Sequence, residues 1–103
     1  ENILLTDTSG KPMLYNRGKK AAIDFTGPLT PLAADAIAFD IRSGDIIVLD
    51  RGEKRIVRWS ATGALMGQYY HESFSDIETL SVSPDGSEVL VSHQGATTAW
   101  RIQ

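Results

Sequence analysis

The runs ILLTD at 3–7, IIVLD at 46–50 and VLVSH at 89–93 stand 43 residues apart each time. The same offset carries outward from them. MLYN at 13–16 lines up with IVRW at 56–59 and AWRI at 99–102, AFDIRSGDII at 38–47 with SVSPDGSEVL at 81–90, and AAIDF at 21–25 with ALMGQ at 64–68. Four segment types that share one offset make an internal repeat. A repeat decides architecture before local propensity does, because each copy is one structural unit.

Each segment reads as a strand: four to seven residues, rich in Ile, Val, Leu and aromatics, bounded by Gly, Pro, Asp and Ser. No stretch carries apolar residues at helical spacing over ten or more positions. The nearest rival is LTPLAADAIAF at 29–39, where Pro28 and Pro31 suit a helix start and leave room for a turn of helix at 32–36. Ser43-Gly44-Asp45, Pro84-Asp85-Gly86-Ser87, Thr8-Ser9-Gly10 and Thr62-Gly63 supply tight-turn chemistry between antiparallel neighbours. With the strands of one period named a to d, the chain reads b-c-d, a-b-c-d, a-b-c, ten strands in all. It divides into a partial unit at 1–27, a complete one at 36–70 and a partial one at 76–103 that lacks its outer strand. A period of 40–45 residues with four short strands is the mark of a β-propeller blade. The expected fold class is therefore all-β, built of antiparallel four-stranded propeller blades.

The middle copy, residues 38–70, carries a family resemblance. DRGEKRIVRW at 50–59 resembles the core of an NHL repeat, with Asp50, Gly52, Arg55 and Ile56 at matching positions and Glu53 where the family prefers Asn. The last copy, SVSPDGSEVLVSHQGATTAWRI, is more similar to a WD-type or related blade, and the first keeps only Asp7 and Gly10 of the NHL pattern. The resemblance implies that Arg55 takes part in contacts between blades. It also implies a buried His71 tied to Ser92 and the Trp100 indole, as in WD-type blades.

At 103 residues the chain holds about 2.4 periods, whereas propeller rings take about four to eight blades. The ring does not close within this chain. Its remaining blades would come from another segment or chain, or from further copies in a homo-oligomer. Ending after strand c fits the C-terminal part of a larger propeller, whose outer strand is supplied by the N-terminus as a latch. The chain starts at Glu1 without an initiator methionine, which has the look of processing and leans towards an extracytoplasmic location. A 42% hydrophobic and 22% charged composition is that of a globular chain, and excludes a disordered tail, a collagen-like repeat and a coiled coil. No apolar run approaches the ~18 residues of a membrane-spanning helix. The absence of cysteine excludes disulfides and thiolate chemistry.

Candidate sites follow from strand phase. Asp7, Asp50 and His93 each end a strand b, so they are the weak candidates for metal ligation, set against local capping of their own turns. Arg51, Lys54, Arg55 and Arg58, with Arg17, Lys19 and Lys20, form the densest basic group. The interspersed Asp40, Asp45, Asp50 and Glu53 and the net charge of −3 argue against nucleic acid. Trp59 and Trp100 close their strands and are expected to pack between blades. The best partner-binding candidates are Tyr69, Tyr70, His71 and Phe74 in one d–a loop and Leu29 and Leu32 in the other, since loops carry function and aromatics anchor interfaces. No nucleophile elbow or phosphate loop is present and no cofactor is implied. The leading expectation is a non-catalytic scaffold or protein-interaction module. The alternative is part of a propeller enzyme, a lactonase-like hydrolase or quinoprotein-type dehydrogenase, with its site in the ring channel.

Overall fold

A computed structural model describes residues 2–6, 12–20, 25–26 and 32–102 of the chain. Among these, the β-rich segments form ten strands: β1 (Asn2–Thr6), β2 (Pro12–Asn16), β3 (Lys19–Lys20), β4 (Ala36–Phe39), β5 (Ile46–Asp50), β6 (Arg55–Trp59), β7 (Leu65–Tyr70), β8 (Thr79–Val82), β9 (Glu88–His93) and β10 (Ala96–Arg101). Each strand pairs antiparallel with its neighbour in sequence, giving three sheets: β1-β2-β3, β4-β5-β6-β7 and β8-β9-β10. The fold is all-β, in sheets of three, four and three strands. The described helical structure is a single 3-10 helix, Glu72–Asp76, too short to cross a membrane.

The middle sheet shows why IIVLD is apolar at four of its five positions and RIVRW at three. Every residue of β5 and β6 is buried, because both faces of the sheet are covered there. Cross-strand pairs sort the side chains by face. Ile46 opposite Trp59 and Val48 opposite Val57 point to one side, where Phe25 and Leu32 join them in one apolar cluster. Ile47, Leu49 and Ile56 point to the other side and meet Phe74, Ile77, Val89, Val91 and Ile102 from the third sheet and its approach. Each such aliphatic side chain removed from water contributes roughly 1.5–3 kcal/mol, so the second cluster is what holds the third sheet against the second.

Pairing register departs from the constant 43-residue offset. Val89 lies opposite Trp100, as Ile46 lies opposite Trp59 and Ile3 opposite Tyr15. Trp100 is thus the counterpart of Trp59, although the constant offset aligns it with Val57. The cause is hairpin length: β5 and β6 are joined by residues 51–54, whereas β9 and β10 are joined by Gln94-Gly95 alone. Both of those residues have positive φ (50° and 82°), as do Arg17 and Gly18 between β2 and β3 (52° and 79°). That is the backbone of the two-residue hairpin turn whose twist matches the strands.

Two expectations change. The segment at 32–36 forms no helical turn; Ala36–Phe39 pairs with β5 instead, from Ala36 opposite Leu49 to Phe39 opposite Ile46. Tyr69 and Tyr70 belong to β7, and the following residues form a 3-10 helix where a loop is expected. The outer strand expected at 21–25 falls mostly outside the described residues.

The hairpin at 83–87 joining β8 to β9 carries its own cap. Asp85 Oδ1 accepts from the Ser87 amide at 3.0 Å, the Ser87 hydroxyl at 2.7 Å and the Ser83 hydroxyl at 2.8 Å. These bonds, the Ser87 amide first, lower the Asp85 pKa from 3.8 to about 2. A depressed carboxylate pKa means stabilisation present above about 3.8 and lost as the pH falls through about 2. Carbon-detected titration should find the Asp85 carboxyl titrating near the lower value, with the Ser87 amide resonance moving in step. A midpoint near 4 would show that the cap does not hold in solution.

Candidate functional site

Where β6 crosses the middle sheet, its two arginines leave on opposite faces. Arg55 is fully buried: its Nε and Nη2 donate to Asp50 Oδ2 at 3.1 and 3.0 Å, and its Nη1 donates to Gln68 Oε1 at 3.0 Å. Asp50 also accepts, at longer range, from the amides of Ala33 (3.3 Å) and Glu53 (3.4 Å). The carboxylate thus caps its own turn, pairs with Arg55 and holds the segment leading into β4. Arg58, on the other face, donates through Nε and Nη2 to Asp45 Oδ2 at 3.0 and 2.7 Å. Its Nη2 lies 3.5 Å from Asp40, and its Nη1 donates to the Gly86 carbonyl at 3.2 Å. That last bond crosses from the second sheet to the β8–β9 turn of the third. The Arg42 amide first, then Ser43 and Arg58, hold the Asp40 carboxyl below its usual value against the opposing effect of burial.

The basic group is therefore not an open cationic face. Arg51 donates to the Ile77 carbonyl at 2.7 Å and lies 3.8 Å from Asp35, and Lys54 pairs with Glu72 at 2.8 Å. Arg55 and Arg58 are buried in their ion pairs. Arg17, Lys19 and Lys20 are exposed on the β2–β3 hairpin.

The partner-binding candidates divide sharply. Phe74 and Leu32 are buried, at 2% and 3% exposure, and sit in the two apolar clusters, which removes them from any accessible surface. Tyr69 is half-buried and donates its hydroxyl to the Ile102 carbonyl at 2.8 Å, tying β7 to the end of the third sheet. Tyr70 stays open, 63% exposed, with its hydroxyl on Gln68 at 3.0 Å. His71 is exposed, not buried. Its Nδ1 accepts from the Ser73 amide at 3.1 Å and caps the 3-10 helix, and its ring rests on Trp100 with centroids 4.5 Å apart. Ser92 bonds to Thr79 instead, so the WD-type network expected for His71 is not formed. Trp59 is fully buried, edge-on to Phe25 at 5.2 Å, and Trp100 packs edge-on to Phe74 at 5.3 Å. Leu29 and Asp7 lie outside the described residues.

Of the three weak metal candidates, Asp50 is consumed by Arg55 and backbone amides, and His93 is exposed at the end of β9. No group of three or more His, Cys, Asp or Glu able to hold a metal occurs among the described residues. His93 instead helps to line a cavity of about 220 Å³, bounded by the 3-10 helix on one side and β9–β10 on the other. Ile77, Val91, Thr98 and Trp100 form its walls, with Asp76 the one acidic residue of the lining. Asp76 and Thr98 are not singled out by the sequence; register could have found Thr98, because the two-residue turn Gln94-Gly95 sets it opposite Val91, whereas Asp76 ends a 3-10 helix that leaves no periodic signal.

No protein-family model and no curated protein matches the chain.

Proposed function

We propose that this chain is a segment of a β-propeller, NHL-like in its middle unit, that acts as a scaffold for protein–protein interaction. The remaining blades would come from another segment or chain, or from further copies of this one. One observation carries the reading: the four-stranded middle sheet is a meander whose two central strands are buried on both faces, held to its neighbour by apolar packing and by the Arg58–Gly86 bond. That is what a blade inside a ring requires. The 43-residue repeat and the aromatic shared by Tyr15, Trp59 and Trp100 in the pairing register support it further.

The interaction surface is the end of the second and third sheets where Tyr70, His71 and the 3-10 helix meet. Tyr70 offers a large aromatic with a polar tip, the residue type that most often anchors a protein interface. The enzyme alternative loses support from Asp50, whose carboxylate is already satisfied by Arg55.

A photo-reactive phenylalanine analogue at position 70, expressed in the source cells, is expected to give a discrete protein adduct. The same probe at Ile41, 91% exposed in the β4–β5 turn, is the control. No adduct at 70, or the same adducts at both positions, would refute the interaction surface.

A further inference from the structure

The cavity beside the 3-10 helix has a composition that selects its occupant. Ile77, Val91 and Trp100 make its wall mostly apolar, and Thr98 adds a hydroxyl. Asp76 is the one acidic residue of the lining and is exposed. Among the described residues the Asp76 carboxylate makes no ion pair or side-chain hydrogen bond at contact distance, and only the charge of Lys54 acts on it. Lys54, the cation whose charge couples to it, is already held by Glu72 at 2.8 Å. At about 220 Å³ the space is that of one large side chain, below the ~300–1,000 Å³ of a typical small-molecule site.

An indole wall, aliphatic sides and one carboxylate without a contact ion pair suit a flat cation. A guanidinium stacks on an indole, pairs its N–H fork with a carboxylate and sheds water more readily than an ammonium. The chain's net charge of −3 favours the approach of such a group. We propose that this cavity takes an arginine side chain presented by a protein partner, an assignment that rests on the interaction-module reading and names its chemistry. The arginine stem would lie along Ile77 and Val91, its head between Trp100 and Asp76.

The test is a titration of the isotopically labelled protein, together with whatever blades complete it, with N-acetyl-arginine amide, followed by amide and indole resonances. N-acetyl-citrulline amide serves as the uncharged isostere and N-acetyl-lysine amide as the alternative cation. The arginine probe is expected to give saturable shifts at Asp76, Ile77, Val91, Thr98 and the Trp100 indole. Citrulline and lysine should bind at least about fivefold more weakly, and Asp76→Asn should weaken arginine binding about fivefold while leaving the remaining spectrum in place. Absence of saturable shifts, equal binding of citrulline or lysine, or unchanged affinity in Asp76→Asn would overturn the assignment. A cross-link at position 70 that persists without arginine binding would sink the cavity assignment alone. Arginine binding without that cross-link would sink the interaction surface and leave the cavity chemistry standing.

Discussion

Replacing Arg58 with methionine is expected to destabilise the chain by about 3–5 kcal/mol, the usual cost of removing one partner from a buried ion pair. Arg58 is only 8% exposed, and its carboxylate partners Asp45 and Asp40 are 6% and 4% exposed. Methionine fills much of the aliphatic volume but satisfies neither carboxylate, and the Gly86 carbonyl loses its donor as well. The loss comes from uncompensated buried charge, so removing charge from the other side should recover part of it. Asp45→Leu in the Arg58→Met background is therefore expected to be more stable than Arg58→Met alone. Urea unfolding followed through the buried Trp59 would show the midpoint falling by more than about 1 M, given slopes of about 1–3 kcal/mol/M for small proteins. A loss below about 1 kcal/mol would mean that the carboxylates are hydrated and the joint between the two sheets is open.

The same arginine marks a limit of reading sequence. Interspersed acids around Arg51–Arg58 suggest a solvated face of alternating charge, which is the commoner outcome for such a pattern. What alternation in sequence does not carry is the face each residue leaves from. Arg55 and Arg58 are three positions apart on a strand, so they project to opposite faces of the sheet, on a strand that is buried on both. Each then needs an acid from a neighbouring strand or turn, and Asp50 and Asp45 stand there. IIVLD, by contrast, is legible at once, because four successive apolar residues leave no polar alternation to confuse it.

The candidate site was less legible. Tyr70 was accessible to sequence reasoning as an aromatic near a connection. Phe74 and Leu32 carry the same signal, yet they are drawn into the clusters that join the sheets. Apolar residues in a connection serve packing or recognition according to which side of the chain they leave from, and a short 3-10 helix fixes that side without leaving a periodic trace. His71 shows the same effect. Its order relative to Ser92 and Trp100 resembles a buried network, but the helix it caps holds it at the surface, and only the contact with Trp100 remains. The cavity depends on the hairpin between β9 and β10 being two residues shorter than that between β5 and β6, a difference that a constant repeat offset conceals.

Gly86→Ala is the sharpest test of how the second and third sheets meet. Gly86 has φ +75°, a left-handed conformation that costs an alanine roughly 1–2 kcal/mol. A Cβ there would also stand 2.2 Å from Asp40 Oδ2, an overlap that something must relieve. Asp40 has little freedom to give way: it accepts from the Arg42 amide at 2.9 Å and lies 3.5 Å from Arg58. Moving it would disturb the ion pair and the bond from Arg58 to the Gly86 carbonyl together. The expected loss is about 3 kcal/mol or more, at the diagnostic end of single substitutions. Gly95→Ala separates the two contributions, since Gly95 has φ +82° with nothing within 4 Å of its added Cβ, and should lose only the backbone share. Equal losses for the two variants in urea would show that the β8–β9 turn does not press on Asp40. A larger loss at Gly86, shrinking when Asp40→Ala is combined with it, would place the steric cost on that carboxylate and make this turn the fixed point about which the two sheets are held.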